Sequence, residues 1–348
     1  MNKRHTAVLV AGSWGTALAS VLADNGQDVI LWSRNAEQVE EINRLHTNSR
    51  FLPDAVLPER IRATTSLEEA VKGADAVLIA SPSKGMREVA GRIQPYLSPD
   101  ALLLHAAKGF EADTLKRMTT VIAEELPAYD SERIVVISGP SHAEEVVRRI
   151  PTTIVVAAVK RSAADRAQDL LNNSSLRVYT NPDVLGVELG GALKNIIALG
   201  AGLSDGLGYG DNAKAALMTR GLAEISRLGA AMGANPLTFS GLAGVGDLIV
   251  TCTSRHSRNW RAGHMIGQGH SLEETLAVMG MVVEGVKTTK AARDLAHRHG
   301  VEMPITEALY RVLFEEMDPK SAVEELMDRL PKHEAEEAAR AAVEAWPE

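Results

Sequence analysis

Lys194 is the residue with the most chemistry to offer. It closes the run Glu188-Leu-Gly-Gly-Ala-Leu-Lys194-Asn195, and the surrounding pattern predicts a helix over 183–202. On that helix Gly190, Lys194 and Ala198 fall at i, i+4 and i+8, with Gly191 and Ala201 on neighbouring rows. A long amine thus stands on a stripe of glycine and alanine, where no side chain obstructs a flat ring or a small substrate. Paired glycines inside a helix cost about 1 kcal/mol each relative to alanine, so they point to a packing or access requirement. The same spacing also suits close helix–helix contact with the lysine reaching solvent.

Other segments carry groups suited to an anion. Lys108, in Ala107-Lys108-Gly109, and the turn Gly139-Pro140-Ser141 each follow a predicted strand. A lysine beside glycine and a serine entering a helix both suit a negative group. Gly244-Val-Gly246-Asp247 leads into an apolar run, where Asp247 serves equally well as a helix cap. Ser257-Arg258-Asn259 places hydroxyl, guanidinium and amide donors at a predicted helix start, a workable phosphate clamp. Arg255, Arg258 and Arg261 also fit one solvated basic face. Cys252, the only cysteine, sits in an apolar run without a histidine partner and reads as a small core residue.

A dinucleotide signal lies near the N-terminus. The predicted strand 6–11 runs into Ala11-Gly12-Ser13-Trp14-Gly15-Thr16-Ala17, which opens a helix. Gly12 and Gly15 supply the second and third glycines of G-x-G-x-x-G, which lets backbone and helix N–H groups approach a pyrophosphate. The first position is Val10, strained if the turn needs positive φ and comfortable if it stays extended. The strand 28–32 leads to Ser33-Arg34, where an NAD-specific site places an acidic residue on the ribose 2′-OH. Arg34 would instead welcome a 2′-phosphate, which predicts NADP(H) alone or alongside NAD(H); a solvated arginine is the plainer alternative.

These residues need a scaffold. Predicted strands 6–11, 28–32, 76–80, 101–105, 134–138, 153–159 and 177–180 alternate with helical patterns at 15–26, 36–46, 66–72, 84–97, 113–126, 143–149 and 162–171. Apolar runs separated by helices predict an α/β Rossmann-type doubly wound domain over 1–180, with ligands at the carboxyl ends of its strands. Asn181-Pro182-Asp183 is a strong helix start, and from there helical patterns dominate, at 183–202, 213–232, 272–279, 288–299 and 305–315. A mainly α-helical domain is therefore expected over 181–332. An acidic Ala/Glu-rich tail follows at 333–348, expected to be a solvated helix or disordered.

Composition sets the outer bounds. At about 150 residues per domain, 348 residues suit two domains. A net charge of −8 and 4% aromatic residues argue against nucleic acid as a partner, while leaving room for a small anion met by local cations. Lys3-Arg4 and the run 6–11 mimic a secretory signal, but Gly12, Ser13 and Gly15 cut the apolar stretch to about six residues, shorter than an h-region. With a single cysteine, the reading is of a cytoplasmic enzyme without membrane insertion. No histidine cluster has metal-ligand spacing, so no metal site is expected.

Taken together, the motifs resemble those of the bacterial NAD(P)-dependent sn-glycerol-3-phosphate dehydrogenases. The resemblance runs from Ala11-Gly-Ser-Trp-Gly-Thr-Ala17 through Ile137-Ser-Gly-Pro-Ser141, Gly190-Gly-Ala-Leu-Lys-Asn195, Thr219-Arg-Gly-Leu-Ala-Glu224, Gly246-Asp-Leu248, Ser257-Arg-Asn259 and Val283-Glu-Gly285 to Glu302-Met-Pro-Ile-Thr306. It implies a Rossmann-type domain followed by a helical one, with Lys194 as the catalytic proton acceptor. It also implies that Lys108 touches cofactor and substrate, and that Gly139, Ser141, Asp247, Ser257, Arg258 and Asn259 bind substrate. Gly12, Ser13, Trp14, Gly15, Arg34, Ala143, Val282 and Glu284 would bind cofactor, with Arg258 beside it. Val10 departs from the family's usual glycine and puts cofactor affinity, more than reaction type, in question. The implied reaction is hydride transfer between NAD(P)H and dihydroxyacetone phosphate, giving sn-glycerol 3-phosphate for membrane lipid synthesis, in a homodimer. Lys194 would then need its basicity lowered by burial or by Lys108. The alternatives are a two-domain β-hydroxyacid or ketopantoate dehydrogenase, and a non-catalytic NAD(P) sensor.

Overall fold

The apolar runs near the N-terminus pair into one eight-stranded sheet of order β3-β2-β1-β4-β5-β6-β7-β8. In this computed structural model, which describes residues 5–280 and 282–330, the strands are β1 (His5–Leu9), β2 (Val29–Trp32), β3 (Ile61–Thr64), β4 (Ala74–Ile79), β5 (Leu102–His105), β6 (Val135–Ser138), β7 (Thr152–Ala157) and β8 (Leu176–Asn181). All neighbours are parallel except β6 and β7, where Val136 faces Ala157. The short edge strand β3 was not anticipated. Its four residues, Ile-Arg-Ala-Thr, are buried except for Arg62 but carry too little apolar signal to stand out.

Both faces of the sheet are covered, which is why its inner strands are apolar throughout. Val8, Leu31, Leu78 and Leu104 point into one core layer, and Ala7, Leu9, Val77, Ile79 and Leu103 into the other. The covering helices are α1 (Ser13–Asp24), α2 (Ala36–Leu45), α3 (Leu67–Val71), α4 (Met86–Ile93), α5 (Met118–Glu125), α6 (Ala143–Val146) and α7 (Arg161–Leu171). Strand order reverses at β1, which lies between β2 and β4. In such sheets the crevice above the strand ends at the reversal receives the ligand.

The turn out of β1 is under strain. Val10 has φ of +79°, in the left-handed region that β-branched residues avoid. Its carbonyl crowds Gly15, where an added Cβ would lie 2.2 Å from that oxygen. The turn therefore keeps a glycine-like path although its first glycine has been replaced.

Helix α8 (Val184–Gly206) begins just past β8 and is the described helix long and apolar enough to cross a membrane, yet 94% of its most apolar window is buried within the protein. The chain divides into two compact units after Gly191, inside this helix, rather than at 180/181. The first turns of α8 stay with the sheet because Glu188 is bonded there, as described below. The second unit is helical: α9 (Asp211–Ala231), α10 (Asp247–Thr253), α11 (Arg258–Gly267), α12 (Leu272–Met279), α13 (Glu284–His299), α14 (Pro304–Phe314) and α15 (Pro319–Met327). The expected tail at 333–348 lies outside the described residues.

Gly202 and Gly206 of α8 and Gly263 and Gly267 of α11 bring the two helices into backbone contact. Added Cβ atoms would meet the Trp260 carbonyl at 1.9 Å from Gly202, the His264 carbonyl at 2.3 Å from Gly206, and the Leu199 carbonyl at 1.9 Å from Gly263. These contacts fall beyond the Gly190/Gly191 stripe for which close packing was one reading, and Lys194 is buried rather than reaching solvent.

A buried carboxylate ties α9 to α14. Glu224 accepts the N–H groups of Ile305 at 2.6 Å and Thr306 at 3.2 Å, and the Thr306 hydroxyl at 3.1 Å. Desolvation outweighs these bonds and pushes its pKa up to about 7. A raised acid loses its proton first in the unfolded chain, so its stability contribution is present at low pH and disappears as pH rises from 4.5 to about 7.

Two measurements follow. Val10→Gly relieves about 1–3 kcal/mol of strain and thereby offsets the loss of a side chain. Urea denaturation should show a net change below about 1 kcal/mol, against more than about 2 kcal/mol for Val29→Gly in extended β2. For Glu224→Gln, the stability difference from the parent should shift by about 3 kcal/mol in the variant's favour between pH 4.5 and 7. A difference independent of pH would show that Glu224 does not titrate there.

Candidate active site

The loop that opens α1 is built to receive an anion. Gly12 is the N-cap residue, with no side-chain cap and no acidic residue in the first turn, so the helix dipole is unopposed. Space beside the Gly12 Cα is open. These features fit a dinucleotide pyrophosphate. The loop is braced by two side-chain amides that sequence reasoning missed, from half-buried Gln38 and buried Asn48. Gln38 Nε2 and Asn48 Nδ2 both donate to the Ala11 carbonyl, at 2.6 and 3.1 Å, and Asn48 also reaches Thr16 Oγ1 at 2.8 Å. Ser13 Oγ donates to the Phe51 carbonyl at 3.0 Å, and Trp14 is half-buried against the core. Arg34, just beyond β2, is exposed and pairs with Glu88 at 2.9 Å. Ala143, the first residue of α6, is buried beside the same core layer.

Beyond β5 and β6 three expected site residues converge. Lys108 Nζ and Ser141 Oγ both donate to the Gly139 carbonyl, at 3.0 and 2.9 Å. Gly139 has φ of +112°, and a Cβ there would meet Ile154 at 3.1 Å, so both conformation and space require glycine. Ser138 Oγ is buried without a hydrogen-bond partner. A Cβ on Gly191 would lie 2.7 Å from that hydroxyl and 3.5 Å from Lys108 Cγ. Ser138 is 2% exposed and packs directly against α8, so Gly191 leaves just enough room for the strand end and Lys108 to approach the helix.

The start of α8 is fixed by a network around Glu188. This carboxylate receives Arg117 and the Thr119 N–H, the latter at 2.8 Å. His105, at the end of β5, contacts Thr119 Oγ1 at 3.1 Å and lies 3.5 Å from Glu188; burial lowers its pKa and keeps it neutral. The sequence shows each residue but not their meeting, since Arg117 and Glu188 lie far apart in the chain.

The remaining expected residues lie in the helical unit. Lys194 is buried at 6% exposure, and its amine bonds Asp247 Oδ1 at 2.5 Å and Thr251 Oγ1 at 2.6 Å. Asp247 is the first residue of α10 and follows a π-helical turn, Leu242–Gly246; it meets the amine rather than capping the helix. Thr251 was missed. It lies one turn after Asp247 and donates to the Asp247 carbonyl at 2.6 Å, so the i, i+4 spacing was the available clue. Cys252 is buried, and desolvation pushes its thiol up to about 12, which agrees with a core role.

The Ser257-Arg258-Asn259 trio divides its labour. Ser257 is the N-cap of α11, its hydroxyl accepting the Trp260 N–H at 3.2 Å. Asn259 is turned inward, donating to Asn195 Oδ1 at 2.9 Å and accepting the Gly285 N–H at 2.8 Å. Only Arg258 of the three is exposed. Asn259 thereby fixes the start of α13, which carries half-buried Glu284 just after exposed Val282.

Over residues 5–164 the chain matches the profile described as NAD-dependent glycerol-3-phosphate dehydrogenase N-terminus, and over 183–324 that of the C-terminus. It is 58% identical over 330 residues to the glycerol-3-phosphate dehydrogenase (NAD(P)+) of Lysinibacillus sphaericus, covering 95% of this chain and 98% of that one. To the protein of the same name from Bacillus anthracis it is 61% identical over 329 residues, covering 94% and 97%. The crystal structure of glycerol-3-phosphate dehydrogenase from Coxiella burnetii superposes with a TM-score of 0.89 at 40% identity, covering 94% of this chain and 99% of that one. With both halves matched in order and these relatives spanned nearly end to end, the chain belongs to the family of NAD-dependent glycerol-3-phosphate dehydrogenases.

Proposed function

We propose that this protein catalyses reversible hydride transfer between NAD(P)H and dihydroxyacetone phosphate, giving sn-glycerol 3-phosphate. Bound NAD(P)H supplies the hydride in reduction, and NAD(P)+ accepts it in oxidation. The observation that carries the reading is the buried Lys194 amine held by Asp247 and Thr251, in a chain of this family.

In reduction, Lys194 passes a proton from Nζ to the substrate oxygen at C2 as that oxygen gains negative charge. In oxidation, its amine accepts the hydroxyl proton. Burial disfavours the charged amine and Asp247 at 2.5 Å favours it, so the proton on Lys194 is held between two opposing pulls. Asp247 and Thr251 also fix where the proton is delivered.

Lys108, with Gly139 and Ser141, contributes hydrogen-bonding groups toward substrate. Arg258 supplies the guanidinium for the phosphate, its helix start fixed by Ser257 and Asn259. The loop from Ala11 to Gly15 holds the pyrophosphate, with Ser13, Trp14, Arg34, Ala143, Val282 and Glu284 around the rest of the cofactor. The same reading has the protein act in the cytoplasm as a homodimer, without nucleic acid or membrane insertion, and supply the glycerol phosphate backbone of membrane lipids.

The test follows loss of reduced-nicotinamide absorbance with NADPH and NADH, against dihydroxyacetone phosphate and ketopantoate. Turnover with the phosphorylated ketone alone is expected. Activity with ketopantoate alone would move the protein to the other dehydrogenase class, and none with either would leave a sensor. Lys194→Ala should lower turnover at least about 10²-fold; dinucleotide affinity measured on the same variant should stay within a few-fold of the parent. Near-normal turnover would remove Lys194 from the mechanism.

A further inference from the structure

At the end of β2 two arginines converge on one carboxylate. Glu88 Oε1 lies 2.9 Å from Arg34 Nη2 and 3.4 Å from Arg92 Nη1. Both guanidinium groups stand over the Trp32 ring, Arg34 at 5.7 Å and Arg92 at 5.5 Å from its centre. Trp32 is 1% exposed and its indole N–H is tied to the Thr65 carbonyl at 3.0 Å, so the plate beneath them is fixed. The three charged side chains, by contrast, are each about half exposed: 56% for Arg34, 52% for Glu88 and 48% for Arg92.

We propose that Arg34 and Arg92 form a two-guanidinium seat for the 2′-phosphate of NADP(H), and that Glu88 occupies this seat as an internal anion when no such phosphate is bound. The inference rests on the cofactor reading above and extends it to a residue pair on α4. Position is the first support, because dinucleotide folds meet the adenosine ribose just past the second strand of the βαβ unit.

Charge is the second support. Two guanidinium groups facing one carboxylate leave a net positive charge, and a phosphate monoester carries about −1.5 to −2 at neutral pH where a carboxylate carries one charge at most. The phosphate can therefore displace Glu88, whereas the bare 2′-hydroxyl of NAD(H) cannot. Stacking on Trp32 holds both planar groups ready and lowers the ordering cost of binding. Arg34 and Arg92 hold the Glu88 carboxyl below the usual glutamate range, so it stays an anion and a competitor at neutral pH.

Calorimetric titration of the full chain with NADPH, NADH and adenosine 2′,5′-bisphosphate tests the seat. Arg92→Met should weaken NADPH and the bisphosphate about tenfold and lower the NADPH-to-NADH affinity ratio accordingly. Glu88→Gln should raise that ratio about threefold, because the competitor is neutralised. Opposite movements in the two variants are the required signature. A ratio unchanged in either variant, or moving the same way in both, overturns the proposal. The bisphosphate carries no nicotinamide and its binding needs no turnover. Failure to reduce dihydroxyacetone phosphate would therefore count against the proposed reaction and leave this test intact.

Discussion

A lysine amine sealed inside the helical unit is the constraint from which its local architecture follows. Taking an ammonium out of water costs several kcal/mol, and only a carboxylate in good geometry with its remaining hydrogen bonds met repays that. Asp247 and Thr251 meet this demand from one turn of α10, and the π-helical turn before α10 leads directly into Asp247. The glycine contacts between α8 and α11 bring the start of α11 close to the same helix that carries the lysine. Asn259 then locks that start to Asn195, the neighbour of Lys194. Position of the amine and packing of the unit are one problem solved once.

The nucleotide-binding unit answers a different demand, that of holding negative charge in a chain whose net charge is −8. It does so locally. An uncapped helix start, a lysine bonded to the Gly139 carbonyl and arginines on an aromatic plate each present positive potential over a few ångströms, within a Debye length of about 8 Å. The loops between them are stiffened by uncharged groups, Gln38 and Asn48 at the glycine turn and Ser141 at Gly139. Rigidity comes from amides and hydroxyls, attraction from a handful of cations.

Much of this was legible in the residues themselves. Apolar runs with helices between them announced the parallel sheet, and Asn181-Pro182-Asp183 announced the change to helices. Lys194 on its Gly/Ala stripe, Lys108 beside Gly109 and Gly139-Pro140-Ser141 stood out by type and spacing. What escaped detection depends on contacts across the chain. Thr251 resembles any core threonine until the amine beside it is known, and Glu188 shows no link to Arg117 or Thr119. Asn259 advertises a donor amide, yet its amide is turned toward Asn195 and Gly285. The conformation of Val10 was open in advance because a β-branched residue is compatible with an extended turn, and the structure places it in the left-handed region with its carbonyl against Gly15.

Cys252 has a practical consequence. Its thiol is fully enclosed and held near pKa 12, so at ordinary pH almost none of it exists as the reactive thiolate. The single thiol of the folded protein is therefore shielded from thiol-directed reagents. A cysteine introduced at any exposed position would be uniquely addressable by a maleimide dye without first deleting the native one, giving spectroscopists a ready-made background for single-site labelling.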